Sequence, residues 1–224
     1  AATGDAALAQ SAKLIAELQQ RIPGLEVHLI GHSAGSILLG YPLDRLLGKI
    51  ARVSSLTLLA PACTVAFANR YLGRSVDKQL LGWDEFHVDL MSDERERADS
   101  VGPYGKSLLY LVSRALEDVH KMPLLGMQAA WTDVRPDIWY VPESARRKSR
   151  KKWENPDVTA WRASIGSNAK TVLQVHDRKR VSDGVEDIPL AHGSFDNDIK
   201  VMTATIERIL GGPLTAPIEN LHGF

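Results

Sequence analysis

With 224 residues, 44% of them hydrophobic, the chain can bury the full core of one good-sized α/β domain. Its 27 basic and 27 acidic residues cancel, which excludes an overall field that would draw it to nucleic acid or an anionic membrane. The single cysteine, Cys63, excludes an intramolecular disulfide and is compatible with a reducing, cytoplasmic compartment.

In chain order, residues 5–21 read as a helix with Leu8, Ile15, Leu18 and Ile22 on one face and Pro23-Gly24 as its stop. Val27 to Ile30 is a buried-type strand, and 36–47 a second helix that ends before Gly48. Residues 53–60 form a second apolar strand closed by Pro61, 64–81 are mostly helical with Gly82 as breaker, and 86–91 form a third strand. A charged loop is expected over 92–99, then a helix over 104–119 with Leu108, Leu111, Val112, Ala115 and Val119 inward. The fourth strand is 171–175 and the last helix 196–210, with Ile199, Met202, Ile206 and Ile209 inward and Gly211-Gly212-Pro213 as its stop. Strands alternating with helices predict a parallel sheet with helices on both faces, a three-layer α/β sandwich.

Residues 122–168 break this rhythm, with no clean period and with Trp131, Trp139 and Trp153, several prolines and the basic run 146–152. An irregular segment of that length predicts a lid or binding loop inserted in a single domain spanning 1–224. The basic run reads as a solvated loop, because the neutral net charge argues against a nucleic-acid partner. No run approaches the ~18 apolar residues of a membrane span, and no basic-then-apolar signal segment is read.

Gly31-His32-Ser33-Ala34-Gly35 joins the first strand to the second helix. A G-x-S-x-G in that setting describes a nucleophile elbow, a tight turn that holds a serine hydroxyl in the open. Both glycines are expected where strand and helix pass too close for a Cβ. A serine hydroxyl needs a neutral imidazole to take its proton and a carboxylate to orient that imidazole. Of His87, His120, His176, His192 and His222, only His192 stands in a polar, glycine-bearing loop between the fourth strand and the final helix, where a mobile base belongs. His176 ends the strand itself, and His32 reads as structural or as part of the pocket mouth. Asp93, just after the third strand, is the expected acid; Asp177 is its rival, and Glu94, Glu96 and Asp99 share its charged loop. Cys63 reads as a small buried thiol. Ala169-Lys170-Thr171 lacks the glycine of a phosphate loop, and no metal-ligand spacing occurs, so neither a cofactor nor a metal is expected.

The order Ser33, Asp93, His192 resembles that of the α/β-hydrolase fold family, whose triad runs nucleophile, acid, histidine. The resemblance covers residues 8–210, with 122–168 as an insertion. It implies a serine hydrolase of esterase or lipase type, acting on a small acyl substrate without a cofactor, with the Ala34 N–H as one oxyanion donor. Such enzymes place about half of their sheet before the nucleophile, whereas one helix and one strand precede Ser33. With a start at Ala1-Ala2-Thr3 and no methionine, this leads us to expect that amino-terminal strands are missing and lie in a preceding segment of the same protein. A hydrolase-like remnant that binds a partner protein, and acyl transfer to an acceptor other than water, stay open at this point.

Overall fold

The computed structural model of the protein describes residues 2–49, 52–132, 138–144, 154–177, 191–219 and 221. Four strands, β1 (His28–His32), β2 (Ser55–Leu59), β3 (Phe86–Met91) and β4 (Leu173–His176), form one all-parallel sheet in the order β1-β2-β3-β4. The α/β class read from the alternation of elements therefore holds. Gly31 lies opposite Leu58, Leu59 opposite Asp89, and Asp89 opposite Gln174. β2 is buried at all five positions, so both faces of the sheet are covered. Alternation along the strands sorts those faces. Leu56, Leu58, Phe86, Val88 and Leu90 enter the main core, while Leu59 and Met91 join Ala60, Phe195 and Val201 in a smaller one.

The amino-terminal helix α1 (Ala2–Arg21) packs on α2 (Gly35–Leu46). It does so with Ala12 and Ala16 buried, while Leu14, Leu18 and Ile22 stay exposed. This corrects the expected inward face in part: Ile15 packs against the main core as expected, but small side chains let the two axes come close, and Leu18 and Ile22 fall outside that contact. β1 and β4 are the edge strands of the described sheet, and Ile30 of β1 is 44% exposed. Next come α3 (Val65–Ala68), capped by Thr64, a π-helical turn over Asn69–Gly73 and α4 (Arg74–Asp77).

The expected loop after β3 is instead a helix, α5 (Asp93–Ala98). The Ser92 side chain accepts from the Arg95 N–H, and Asp93, Glu94 and Glu96 occupy the first turn, where acids suit the helix dipole. The predicted helix over 104–119 shrinks to α6 (Leu108–Leu111), capped by Ser107, and a π-helical turn over Val112–Leu116.

A second correction concerns 122–168. Part of it belongs to the core: Leu124, Leu125, Met127, Trp131, Ile138 and Trp139 are buried, as are Val158, Trp161 and Ile165 of α7 (Pro156–Ile165), while Thr132 and Tyr140 are exposed. The Trp161 ring meets Trp83, Phe86 and Trp131 edge-on, with centroids 5.9, 6.3 and 5.4 Å away. Periodicity is absent because this backbone is tied to the turn after β2 by Val65 N–H to Pro123 O, Leu125 N–H to Cys63 O and Gly126 N–H to Pro61 O. At Gly126 a Cβ would sit 2.4 Å from the Pro61 carbonyl oxygen. Trp153, the run 146–152 and His222 lie outside the described residues.

The chain then passes through α8 (Ala169–Val172) into β4, and ends its regular structure with α9 (Ile199–Leu210). Asp198 caps α9 by accepting from the Val201 N–H at 2.9 Å. α9 buries Val201 and Thr205 and packs Met202 against the smaller core as expected, while Ile199 is exposed. Among the described residues no helix is long and apolar enough to cross a membrane.

Glu96 joins α5 to α6, since its carboxylate is hydrogen-bonded by the Ser107 hydroxyl and its carbonyl by the Ser107 N–H at 2.9 Å. Burial, opposed by the Ser107 hydrogen bond and aided by Asp99 and Asp93, pushes the Glu96 carboxyl up to about 8. A carboxyl raised from 4.5 to about 8 stabilises the fold fully below pH 4.5, and that stability is lost as pH rises through about 8. Burial holds His192 down at about 4, so its contribution is complete above pH 6.5 and leaves the window between pH 6.5 and 8 to Glu96. Urea titrations are expected to show the protein losing about 2 kcal/mol across that window and Glu96→Gln losing far less. An equal decline in both proteins would assign it to other groups.

Candidate active site

In a parallel sheet all carboxyl ends lie on one edge, and that edge collects the loops after β1, β3 and β4. Ser33 follows β1 with φ +50°, a left-handed conformation that a residue with a Cβ holds only when its surroundings enforce it. The enforcement is visible. Its N–H extends the ladder to Leu59 O at 2.8 Å, and its carbonyl accepts from Ser36 N–H (3.1 Å), Ser36 Oγ (2.7 Å) and Ala62 N–H (3.0 Å). At Gly31 a Cβ would meet Leu39 Cδ1 at 2.8 Å and the Gly35 backbone at 3.0 Å, as the close strand–helix crossing requires. Gly35 departs from expectation, because a Cβ there has nothing within 4 Å. The Ala34 N–H lies at the start of α2 and, among the described residues, donates no backbone hydrogen bond. It is oriented with the positive end of that helix.

His192 opens a 3-10 helix, His192–Asn197, and is 4% exposed. Its Nε2 lies 2.8 Å from Ser33 Oγ. The structure thus brings together the two residues that the sequence pairs across 159 positions. Burial, reinforced by the nearby His32 and opposed by Asp99, holds the imidazole down to about 4, so it is neutral and able to accept a proton at pH 7. For Nε2 to accept from Ser33, the ring hydrogen must sit on Nδ1. That Nδ1 is buried without a hydrogen-bond partner among the described residues. An unpaired buried donor costs about 1–3 kcal/mol, and a nearby carboxylate would remove that cost.

Asp93 is not placed to be that carboxylate. It is buried at the start of α5, accepts from the Tyr110 hydroxyl and lies 3.9 Å from Arg97. Its backbone N–H donates to Gln128 Oε1 at 2.8 Å. Asp177 accepts from Ser92 Oγ at 3.1 Å. Asp93 and Asp177 line one cleft of about 700 Å³ with Ser92, Arg97 and Gln128, and neither Ser33 nor His192 borders it. The carboxylate at His192 is Asp99, the residue that ends α5: its Oδ2 accepts from the His192 backbone N–H at 3.4 Å, and its Oδ1 from Ser100 N–H at 2.8 Å. The displacement has a physical origin. Once Ser92 starts a helix, Asp93 turns inward toward α6, and one helix length carries Asp99 to the opposite end, where the loop of His192 passes. The sequence signal for this was a serine followed by three acids, a helix start that a charged composition disguised.

The remaining candidates have partners of their own. His176 Nε2 pairs with the buried Asp89 at 2.9 Å, and Arg208 reaches the other Asp89 oxygen at 3.3 Å. Sequence reasoning missed this buried charge cluster. Cys63 is buried, and burial pushes its thiol up to about 12, which leaves it inert as a nucleophile. Among the described residues no group of three or more His, Cys, Asp or Glu converges to hold a metal ion.

No family model, curated protein or solved structure matches the chain.

The two elbow glycines are expected to differ on substitution. Gly31→Ala should lose about 1–3 kcal/mol in urea unfolding, because the methyl group meets Leu39 and the Gly35 backbone. Gly35→Ala, in open space at the first residue of α2, should stay within about 1 kcal/mol of the parent. Equal losses would mean that the crossing at Gly31 is not the tight point.

Proposed function

We propose that the protein is a serine hydrolase of α/β-hydrolase type, cleaving a carboxylic ester or related acyl substrate through an acyl-serine intermediate. The observation that carries this reading is the 2.8 Å approach of His192 Nε2 to the hydroxyl of a serine held at φ +50° at the end of a parallel strand. Ser33 Oγ attacks the substrate carbonyl as His192 Nε2 takes its proton, and the Ala34 N–H receives the developing oxyanion. His192 then returns the proton to the leaving group, and water repeats the sequence to free the acid. Asp99 takes the orienting role that the sequence gives to Asp93. A small rotation of its carboxylate toward Nδ1 would complete the triad, in keeping with catalytic hydrogen bonds that tighten only when substrate is bound. The strand order from β1 to β4 suits the run of strands that follows the nucleophile in that family, and the family's further strands would pair along the outer edge of β1.

That edge also favours a second reading, a hydrolase-like module that binds another protein. Ile30 of β1 is exposed there, and Leu18 of α1 and Ile22 just after it are exposed as well, as an interaction surface would require.

Labelling with a fluorophosphonate separates the two. The hydrolase reading expects a covalent adduct on Ser33 that is absent in Ser33→Ala and slowed by about 10³-fold or more in His192→Gln. A folded protein that stays unlabelled supports the interaction module instead. Asp99→Asn is expected to slow labelling by about 10²–10⁴-fold and Asp93→Asn by much less; the reverse order would return the acid role to Asp93. Labelling needs neutral His192, so its rate should hold as pH falls from 7 and be lost through about pH 4. A midpoint near pH 6.5 would mean that the imidazole is not buried as described.

A further inference from the structure

We propose that His32, the second residue of the elbow, is a positioning residue that latches the His192 turn onto β1; this rests on reading Ser33 and His192 as the working pair. His32 is the last residue of β1, and its Nε2 lies 2.9 Å from the His192 carbonyl oxygen. A carbonyl only accepts, so Nε2 carries the hydrogen and donates it to that peptide. Nδ1 then faces Asp196 Oδ2 at 3.8 Å, on the far side of the same turn. One ring thus spans both ends of the segment that delivers the base.

Within the turn, the restraints at Phe195 and Ser194 act away from His192 itself. Phe195 is fully buried between the rings of His32 and His176, with centroids 6.3 and 5.7 Å away. Ser194 Oγ closes the turn on Ala191, accepting from its N–H at 3.0 Å and donating to its carbonyl at 2.8 Å. The His32 bond is the one that grips the His192 carbonyl, with the Asp99 contact to its N–H at 3.4 Å as a looser counterpart. A displacement of about 1 Å in a reacting group costs about 10²-fold in rate, so this grip matters to proton transfer.

The nearness of the two rings acts in the same direction. The ring centroids of His32 and His192 are 5.6 Å apart, so a proton on His32 opposes a second one on His192. The other groups facing the pair are Asp99 at the end of α5, Asp196 within the turn, and His176 with its partner Asp89 at the end of β4. Of these Asp99 favours the charged imidazole, while burial and His32 outweigh it.

His32→Gln and His32→Asn separate the latch from the bulk of the ring. A glutamine amide nitrogen can stand where Nε2 stands and keep the bond to the His192 carbonyl; the asparagine amide, one carbon shorter, reaches only the position of Nδ1. Two measurements are made on each: the fluorophosphonate labelling rate from pH 3.5 to 8, and backbone amide hydrogen exchange over 191–197, which requires no activity. The glutamine variant is expected to keep the rate at pH 8 within about threefold and to keep its exchange protection, while its acid midpoint moves upward because the neighbouring imidazole is gone. The asparagine variant is expected to label about tenfold or more slowly and to exchange faster across 191–197. Indistinguishable exchange in the two variants overturns the latch, and an unmoved acid midpoint in the glutamine variant overturns the electrostatic part. A parent protein unlabelled at Ser33 overturns the hydrolase reading alone, and the exchange comparison still decides the latch.

Discussion

The geometry of the candidate site depends on one strained residue. Ser33 sits in the left-handed region, and three hydrogen bonds converge on its carbonyl from Ser36 and Ala62. Its neighbour across the sheet does something similar. Ala60, just past the end of β2, also has a positive φ of 41°, and its N–H donates to Asp89 O at 2.8 Å. Two adjacent parallel strands therefore bend sharply at the same level, and the turn after β2 closes back on the turn after β1 through Ala62. A strained serine on a free edge would relax toward ordinary backbone angles, which are lower by about 1–3 kcal/mol. Here relaxation would break the bonds that end both strands.

The base reaches the serine from the opposite end of the chain, and a buried charge cluster guides it there. Asp89 lies in the middle of the sheet on the face covered by α9, paired with His176 of β4 and Arg208 of α9. Removing either cation would leave a buried carboxylate short of partners, a loss that such sites tolerate poorly. The pairing therefore fixes α9 against β3 and β4. The turn that carries His192 leads directly into α9 through the Asp198 cap, so its position follows from that docking. Phe195 then seats the turn in the small core beside Leu59, Ala60 and Met91. Apolar packing locates the turn, and hydrogen bonds from β1 set its orientation.

How far this was legible differs from element to element. β3 occurs over 86–91 as read, because Phe86-His87-Val88-Asp89-Leu90-Met91 alternates apolar with polar residues as far as Leu90, between Gly82 and a helix start, with no rival period. The segment 122–168 reads as a lid or binding loop because it lacks a clean period, yet it contributes Leu124, Leu125, Trp131, Trp139 and Trp161 to the main core. Periodicity reports burial only for regular elements, and this backbone satisfies its polar groups on the turn at 61–65. α1 and α9 are helices as read, and their expected inward faces hold in part: Ile15 and Met202 pack against the cores, while Leu18, Ile22 and Ile199 are exposed. Their buried stripes run through Ala12, Ala16, Val201 and Thr205, small or β-branched side chains that suit a close contact, and the larger apolar residues lie beside it.

Composition and pattern alone determined the alternation of strands and helices, the parallel sheet that follows from it, the serine in its strand-to-helix turn and the histidine that meets it. These are local signals, or consequences of connectivity, and a parallel sheet brings its carboxyl ends together whatever the loops contain. Which carboxylate stands at His192 was decided only in three dimensions. Asp93 and Asp99 belong to one charged stretch, and nothing in their types separates them. A helix begun by Ser92 turned the first toward Tyr110 and carried the second to His192, because a helix of six residues displaces its two ends by about 9 Å.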